Sequence, residues 1–247
     1  MSKFKIVFQL ILGALCAAAL QAQESNNLDN VVVILDGSGS MSGMIDDKSK
    51  MQAAKNSVYQ ALKKLPDDTQ FGLLVFSKNV NGWAYPLGPL DKTKVRKQVK
   101  RIKQGGKTPL GTFLKTGADS LLAERAKQFN YGTYRLIVIT DGESTDGKLM
   151  LNYAPELVSR GITLNVIGVG MANDHSLKDA AHQYVGAKDV KSLDAAVTTF
   201  IAEVSSNTDL DAAGESPYDY LAFFPNNDAA LSTIDALSES GNQPLGE

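Results

Sequence analysis

Residues 31–43 read VVVILDGSGSMSG, and this stretch constrains the chain more than any other. Val31 to Leu35 is an unbroken apolar run with the length and composition of a strand buried on both faces, as in parallel sheets covered by helices above and below. Polarity then changes abruptly. Gly37 and Gly39 permit a tight bend as the chain leaves the strand, and Asp36, Ser38 and Ser40, at alternate positions, can converge on one point beyond its carboxyl end. One carboxylate and two hydroxyls make a hard oxygen set, suited to Mg²⁺, Mn²⁺ or Ca²⁺ and poor for zinc or copper. The same residues are also ordinary turn and cap chemistry, with Ser42 or Asp46 able to cap the next helix, so this loop alone leaves both readings open.

Two later stretches bear on the choice. Residues 134–143 read YRLIVITDGE, a second buried strand that ends in Asp141-Gly142, and residues 105–112 read GGKTPLGT, a glycine-rich loop with a hydroxyl. The GGKT run matches the end of a phosphate-binding loop, but that motif needs a glycine where Arg101 stands and a buried strand where a basic helix leads in. Gly105 and Gly106 instead allow the loop to turn Thr108 toward the Asp36 cluster, and Pro109 suits the first turn of the following helix. In a parallel sheet the carboxyl ends of neighbouring strands share an edge, which brings Asp141 to Asp36.

VVVILDGSGSMSG, GGKTPLGT and LIVITDGES together resemble the von Willebrand factor type A domain, over residues 29–206. That family carries a metal-ion-dependent adhesion site built from DxSxS, a threonine and TDG. The resemblance implies that Asp36, Ser38, Ser40, Thr108 and Asp141 hold a divalent cation, Mg²⁺ first and Mn²⁺ or Ca²⁺ as alternatives. It further implies an open coordination position, which an Asp or Glu carboxylate of a partner protein completes. Met41, Gly106, Lys107 and Glu143 are candidates for partner contact around it. Lys107 reads equally as an exposed loop lysine, and Glu143 as a solvent-facing or capping acid.

Along the chain, helical spacing covers Ser49 to Leu65, Asp91 to Lys103, Leu110 to Lys127, Lys148 to Arg160, Ser176 to Tyr184 and Ser192 to Ser205. Apolar runs place strands at Phe71 to Phe76, Ile162 to Val169 and, weakly, Val185 to Val190. Val80 to Leu87 reads as a short antiparallel edge strand whose period of two puts Trp83 and Tyr85 on one face, as edge packing. Strands alternating with helices predict an α/β fold, a doubly wound, mostly parallel central sheet flanked by helices in the Rossmann-like manner.

The ends differ from the middle. Residues 1–22 carry two lysines, an apolar stretch with Cys16 and a small-residue close, the layout of a cleaved secretory signal, so the expectation is export to the periplasm or exterior with no membrane span afterwards. Residues 23–28 form a leader. The whole chain has a net charge of −2, but residues 207–247 hold eight acids and no Lys or Arg. This tail is expected to be partly disordered, with an apolar knot at SPYDYLAFFP that packs on the domain or a partner. The lysines of Asp91 to Lys103 read as a solvated helix face, and the absence of interleaved aromatics speaks against nucleic acid.

His175 and His182, seven residues apart, could share a helix face, but two turns separate them by roughly 10 Å, too far to share an ion. Neither has a nucleophile partner, and no G-x-S-x-G elbow occurs, so an enzyme is not expected. The leading expectation is an exported, metal-dependent protein-binding module of adhesion or assembly. A cell-envelope structural or accessory factor working through its tail and basic helix is the alternative, and a metal-assisted hydrolase a further one.

Overall fold

The computed structural model describes residues 29–171, 174–205 and 241–246. The expected signal, leader, aromatic knot and a short helix expected over Ala229 to Leu237 lie outside the described residues. Strand β1 (Asp29–Gly37) runs through the middle of a six-stranded sheet, ordered β5-β4-β1-β6-β7-β8. The others are β4 (Gln70–Ser77), β5 (Asn81–Pro89), β6 (Thr133–Thr140), β7 (Thr163–Val169) and β8 (Gln183–Ala187). Only β5 runs antiparallel, paired with β4 at the edge, so the fold is the mixed, mostly parallel sheet that the alternation predicts.

The apolar run of β1 is continuous because both of its faces are covered. Val31, Val33 and Leu35 enter one apolar cluster, and Val32 and Ile34 enter the other. Each such side chain, fully buried, contributes about 1.5–3 kcal/mol. The first cluster is closed by helices α1 (Lys50–Lys64), α2 (Lys92–Arg101) and α5 (Val190–Ser205). The second is closed by α3 (Leu110–Lys127) and α4 (Gly147–Ser159). Gly111 of α3 makes the α3–α4 approach possible, since a Cβ there would lie 2.4 Å from the backbone nitrogen of Met150.

Three expectations are corrected. Neither Ser42 nor Asp46 caps α1. After β1 the chain makes a short 3-10 turn (Gly39–Ser42) and a small hairpin, β2 (Met44–Ile45) with β3 (Lys48–Ser49). Ser49 then caps α1 by accepting the Gln52 amide at 3.2 Å, while the Asp46 carboxylate accepts the Val190 amide at 2.8 Å and so caps the distant α5.

Trp83 and Tyr85 face opposite sides of the sheet. Tyr85 stands opposite Leu73 and packs on the first cluster, whereas Trp83 stands opposite Leu74 and packs on the second. An irregularity in the β4–β5 register at these residues breaks the period of two, as a bulge does.

The helix expected over Ser176 to Tyr184 is a run of turns at residues 176–180, followed directly by β8. Leu177 is fully buried, and the Lys178 amide closes on the His175 carbonyl at 2.9 Å. Tyr184 is claimed by strand pairing with Val166, which ends helical continuation before a second turn.

Candidate metal centre

The site forms where β1 and β6 leave the sheet together. They pair in parallel with Leu35 opposite Ile139, so Asp36 and Thr140 emerge side by side at the carboxyl edge. From β1 the chain goes to β4 on one side, while β6 lies on the other, and such a switch of direction opens a crevice at strand ends.

Asp36 is fully buried. Its Oδ1 accepts the Ser38 amide at 2.7 Å, and its Oδ2 accepts the Thr140 hydroxyl at 2.6 Å. The Ser38 and Ser40 hydroxyls lie 3.0 Å apart, and Ser40 Oγ donates to Asp141 Oδ1 at 2.6 Å. Asp36, Ser38, Ser40 and Asp141 are therefore linked by hydrogen bonds at one edge of the sheet.

Burial pushes the Asp36 carboxyl above the ordinary carboxylate value. Bonds from Ser38 and Thr140 pull it back only in part, and the neighbouring Asp141 charge adds to the rise.

The glycine-rich loop is stitched to this cluster by backbone. The Gly105 amide donates to the Gly37 carbonyl at 2.8 Å, and the Gly39 amide to the Gly106 carbonyl at 3.3 Å. Gly105 and Gly106 have φ of 139° and 102°, which a side chain would resist. Thr108 follows, buried, with its carbonyl accepting the Thr145 amide at 2.8 Å from the loop after β6. That loop also supplies Asp146, which accepts the Gly111 and Thr112 amides at 2.7 and 2.9 Å and caps α3. Burial alone would raise the Asp146 carboxyl. Bonds from Ser144, Thr112 and Gly111 outweigh it and hold the group below its ordinary value.

Two further residues join the cluster, one within TDG and one with no motif in the sequence. Thr140 orients Asp36, and its place before Asp141 was the available signal. Lys50, the first residue of α1, has its ammonium 3.0 Å from Asp141 Oδ2, with the carboxylate fully buried. Ninety-one residues separate the pair, so no local pattern announces it.

The rim candidates divide. Gly106 and Lys107 are exposed beside the cluster, but Met41 is fully buried in the first apolar cluster and offers nothing to a partner. The Glu143 carboxylate accepts the Ser176 amide and hydroxyl at 2.9 and 2.6 Å, tying the loop to the turns after β7. His175 is buried there with Nε2 3.0 Å from the Gly142 carbonyl and Nδ1 accepting the Leu177 amide at 3.0 Å, and burial lowers its pKa. Both ring nitrogens are thus engaged within the fold. His182 accepts the Leu164 amide at 3.1 Å, a separate role.

The residues present fit a hard divalent cation. Two carboxylates and two serine hydroxyls share one connected cluster at a partly open edge, with a buried carboxylate that lacks its own counter-charge. No group of three or more His, Cys, Asp or Glu suited to a metal occurs among the described residues, so the hydroxyls are needed to complete any shell.

Comparison with known proteins agrees with this fold. Residues 30–205 match the family model of the von Willebrand factor type A domain. The chain is 30% identical over 165 residues to the uncharacterized protein YwmC of Bacillus subtilis (strain 168), covering 62% of this chain and 71% of that one. It is 32% identical over 157 residues to the human collagen alpha-5(VI) chain, covering 62% of this chain but 6% of the collagen. Among solved structures, proximal thread matrix protein 1 from the mussel byssus, with a zinc-occupied MIDAS motif, superposes with a TM-score of 0.58 at 22% identity. The match covers 72% of this chain and 48% of that one, and the likeness is one of fold. No described helix is long and apolar enough to cross a membrane.

Proposed function

The chain belongs to the von Willebrand factor type A domain family, a family of protein-binding modules, and on that premise we propose that it is an exported, metal-dependent binding protein. Asp36, Ser38, Ser40, Thr108 and Asp141 would hold the ion, Mg²⁺ first. When bound, a divalent cation supplies a coordination position that a partner's Asp or Glu carboxylate can take. Asp36 contributes a buried carboxylate at the edge, Thr140 and the Ser38 amide hold its two oxygens in place, and the Gly105-Gly106 turn that precedes Thr108 is bonded to Gly37 and Gly39. Exposed Lys107 beside the cluster favours an acidic partner surface. The reading rests above all on the connected oxygens of Asp36, Ser38, Ser40 and Asp141. Export rests on the layout of residues 1–22.

Isothermal titration of Mg²⁺, Mn²⁺, Ca²⁺ and Zn²⁺ into the metal-stripped protein, beside Asp36→Ala, tests it. Zn²⁺ is included because it occupies the MIDAS motif of the mussel protein. One saturable site lost in the variant is expected. A folded wild-type protein that binds none of the four ions overturns the reading.

A further inference from the structure

Residues 241–246 lie in a groove between α3 and α4, against Lys115, Asp119 and Arg125 of α3. Thr108 precedes the N-terminal end of α3, and the groove reaches Arg125 near the other end of that 18-residue helix, about 27 Å long at 1.5 Å per residue. The groove engages backbone along the whole segment. Arg125 Nη2 donates to the Gly241 carbonyl at 2.6 Å and its Nε to Asn242 Oδ1 at 2.5 Å. Arg160 donates to the carbonyls of Gln243 and Pro244. Lys115 Nζ donates to the Leu245 carbonyl at 2.6 Å, while Asp119 and Glu156 accept the amides of Leu245 and Gly246 at 2.7 and 3.3 Å. One apolar side chain enters: Leu245 is 2% exposed and joins the second apolar cluster. Charged side chains that read backbone, plus a single leucine seat, are the design of a site for a short peptide whose backbone turns at Asn242 and Gln243.

The segment is not part of the family domain. The family match ends at residue 205, where α5 ends, and α5 packs on the opposite face of the sheet. Thirty-five residues, numbered 206–240, separate the two, and at up to about 3.3 Å per residue that length of chain is enough to pass from one face to the other. The covalent link makes docking of the segment an intramolecular event, which favours the chain's own segment over free peptide at ordinary protein concentrations.

We propose that the α3–α4 groove is a peptide-binding site whose intramolecular ligand is residues 241–246, and that this ligand is exchangeable. The site takes a short segment with a leucine after a proline, since proline brings no amide needing a partner. The inference is independent of the metal site.

The test uses the full chain and a fluorescein-labelled peptide of residues 240–247, read by fluorescence anisotropy. Leu245→Asp empties the groove of its own segment, and circular dichroism checks that the variant stays folded. Saturable binding to Leu245→Asp, at least about tenfold tighter than to the wild type, is expected, because the wild-type groove is occupied. Adding Asp119→Ala to the Leu245→Asp chain should weaken that binding by about tenfold, through loss of a charged hydrogen bond. Equal binding to both chains, no binding to either, or an indifferent Asp119→Ala overturns the proposal. Unfolding of Leu245→Asp also overturns it, since the segment is then an integral part of the core.

Discussion

Lys50 Nζ lies 3.0 Å from Asp141 Oδ2, and Ser40 Oγ lies 2.6 Å from the other oxygen of the same carboxylate. Asp141 is thus held between a cation supplied by α1 and a hydroxyl supplied by the loop after β1. The protein carries one positive charge at the place where its oxygens fit a divalent ion, so on the proposed reading a bound ion would compete with Lys50 for the same carboxylate. Lys50→Met is expected to tighten Mg²⁺ or Mn²⁺ binding by about tenfold, since two unit charges near a protein surface interact by a few kcal/mol. Without metal the same variant should lose about 1–3 kcal/mol of stability, because Asp141 stays buried and uncompensated. Calorimetry for the ion and denaturant melts in chelator separate the two effects.

Asp36 makes a different demand on pH. Its folded-state carboxyl is raised above the ordinary value of 3.8, so the folded protein holds that proton more tightly than the unfolded chain. The resulting stability is complete below 3.8 and is lost as pH rises through the folded-state value. In chelator, Asp36→Asn should therefore match the wild type in acid and exceed it at neutral pH. Added divalent cation should restore the wild type alone. Unfolding curves across pH, with and without metal, decide this.

Asp146 has the opposite sign. Its hydrogen bonds hold the folded-state carboxyl below 3.8, so its stabilisation is present above that value and disappears as pH falls through the folded-state one. Asp146→Ala removes the cap on the Gly111 and Thr112 amides and should cost about 1–2 kcal/mol at neutral pH, with a smaller cost in acid. Because α3 begins two residues after Thr108, the variant should also weaken metal binding, which the same titration reads.

Gly111 and Gly147 are a matched pair for packing. A Cβ on Gly111 would meet the Met150 backbone nitrogen at 2.4 Å, which no side-chain rotation relieves, whereas one on Gly147 meets nothing within 4 Å. Gly111→Ala should destabilise by about 2 kcal/mol or more despite alanine's better helix propensity. Gly147→Ala should be neutral or stabilising by up to about 1 kcal/mol. Thermal melts of the two variants give the comparison.

Much of this protein is legible without coordinates. Val31 to Leu35 and Tyr134 to Thr140 declare strands covered on both faces, because only a doubly covered strand is apolar at consecutive positions. The glycines at 37, 39, 105 and 106 and the oxygens at 36, 38, 40 and 141 declare a loop cluster at their carboxyl ends, because strand direction carries those residues to one edge. These are local properties of backbone and side chain, and the chain order alone expresses them.

The rest was decided by contacts between residues far apart in the chain. Trp83 and Tyr85 part company because a register irregularity against β4 overrides the period of two. The turn at Ser176 stops short of a helix because Tyr184 is taken by β7. Lys50 reaches Asp141 across 91 residues, and Lys115 reaches the Leu245 carbonyl across 130. The sequence by itself determined where hard oxygens gather, since that follows from strand ends. Only the tertiary structure decided which charges face them and what fills the groove between α3 and α4, since both depend on surfaces that exist once the helices have packed.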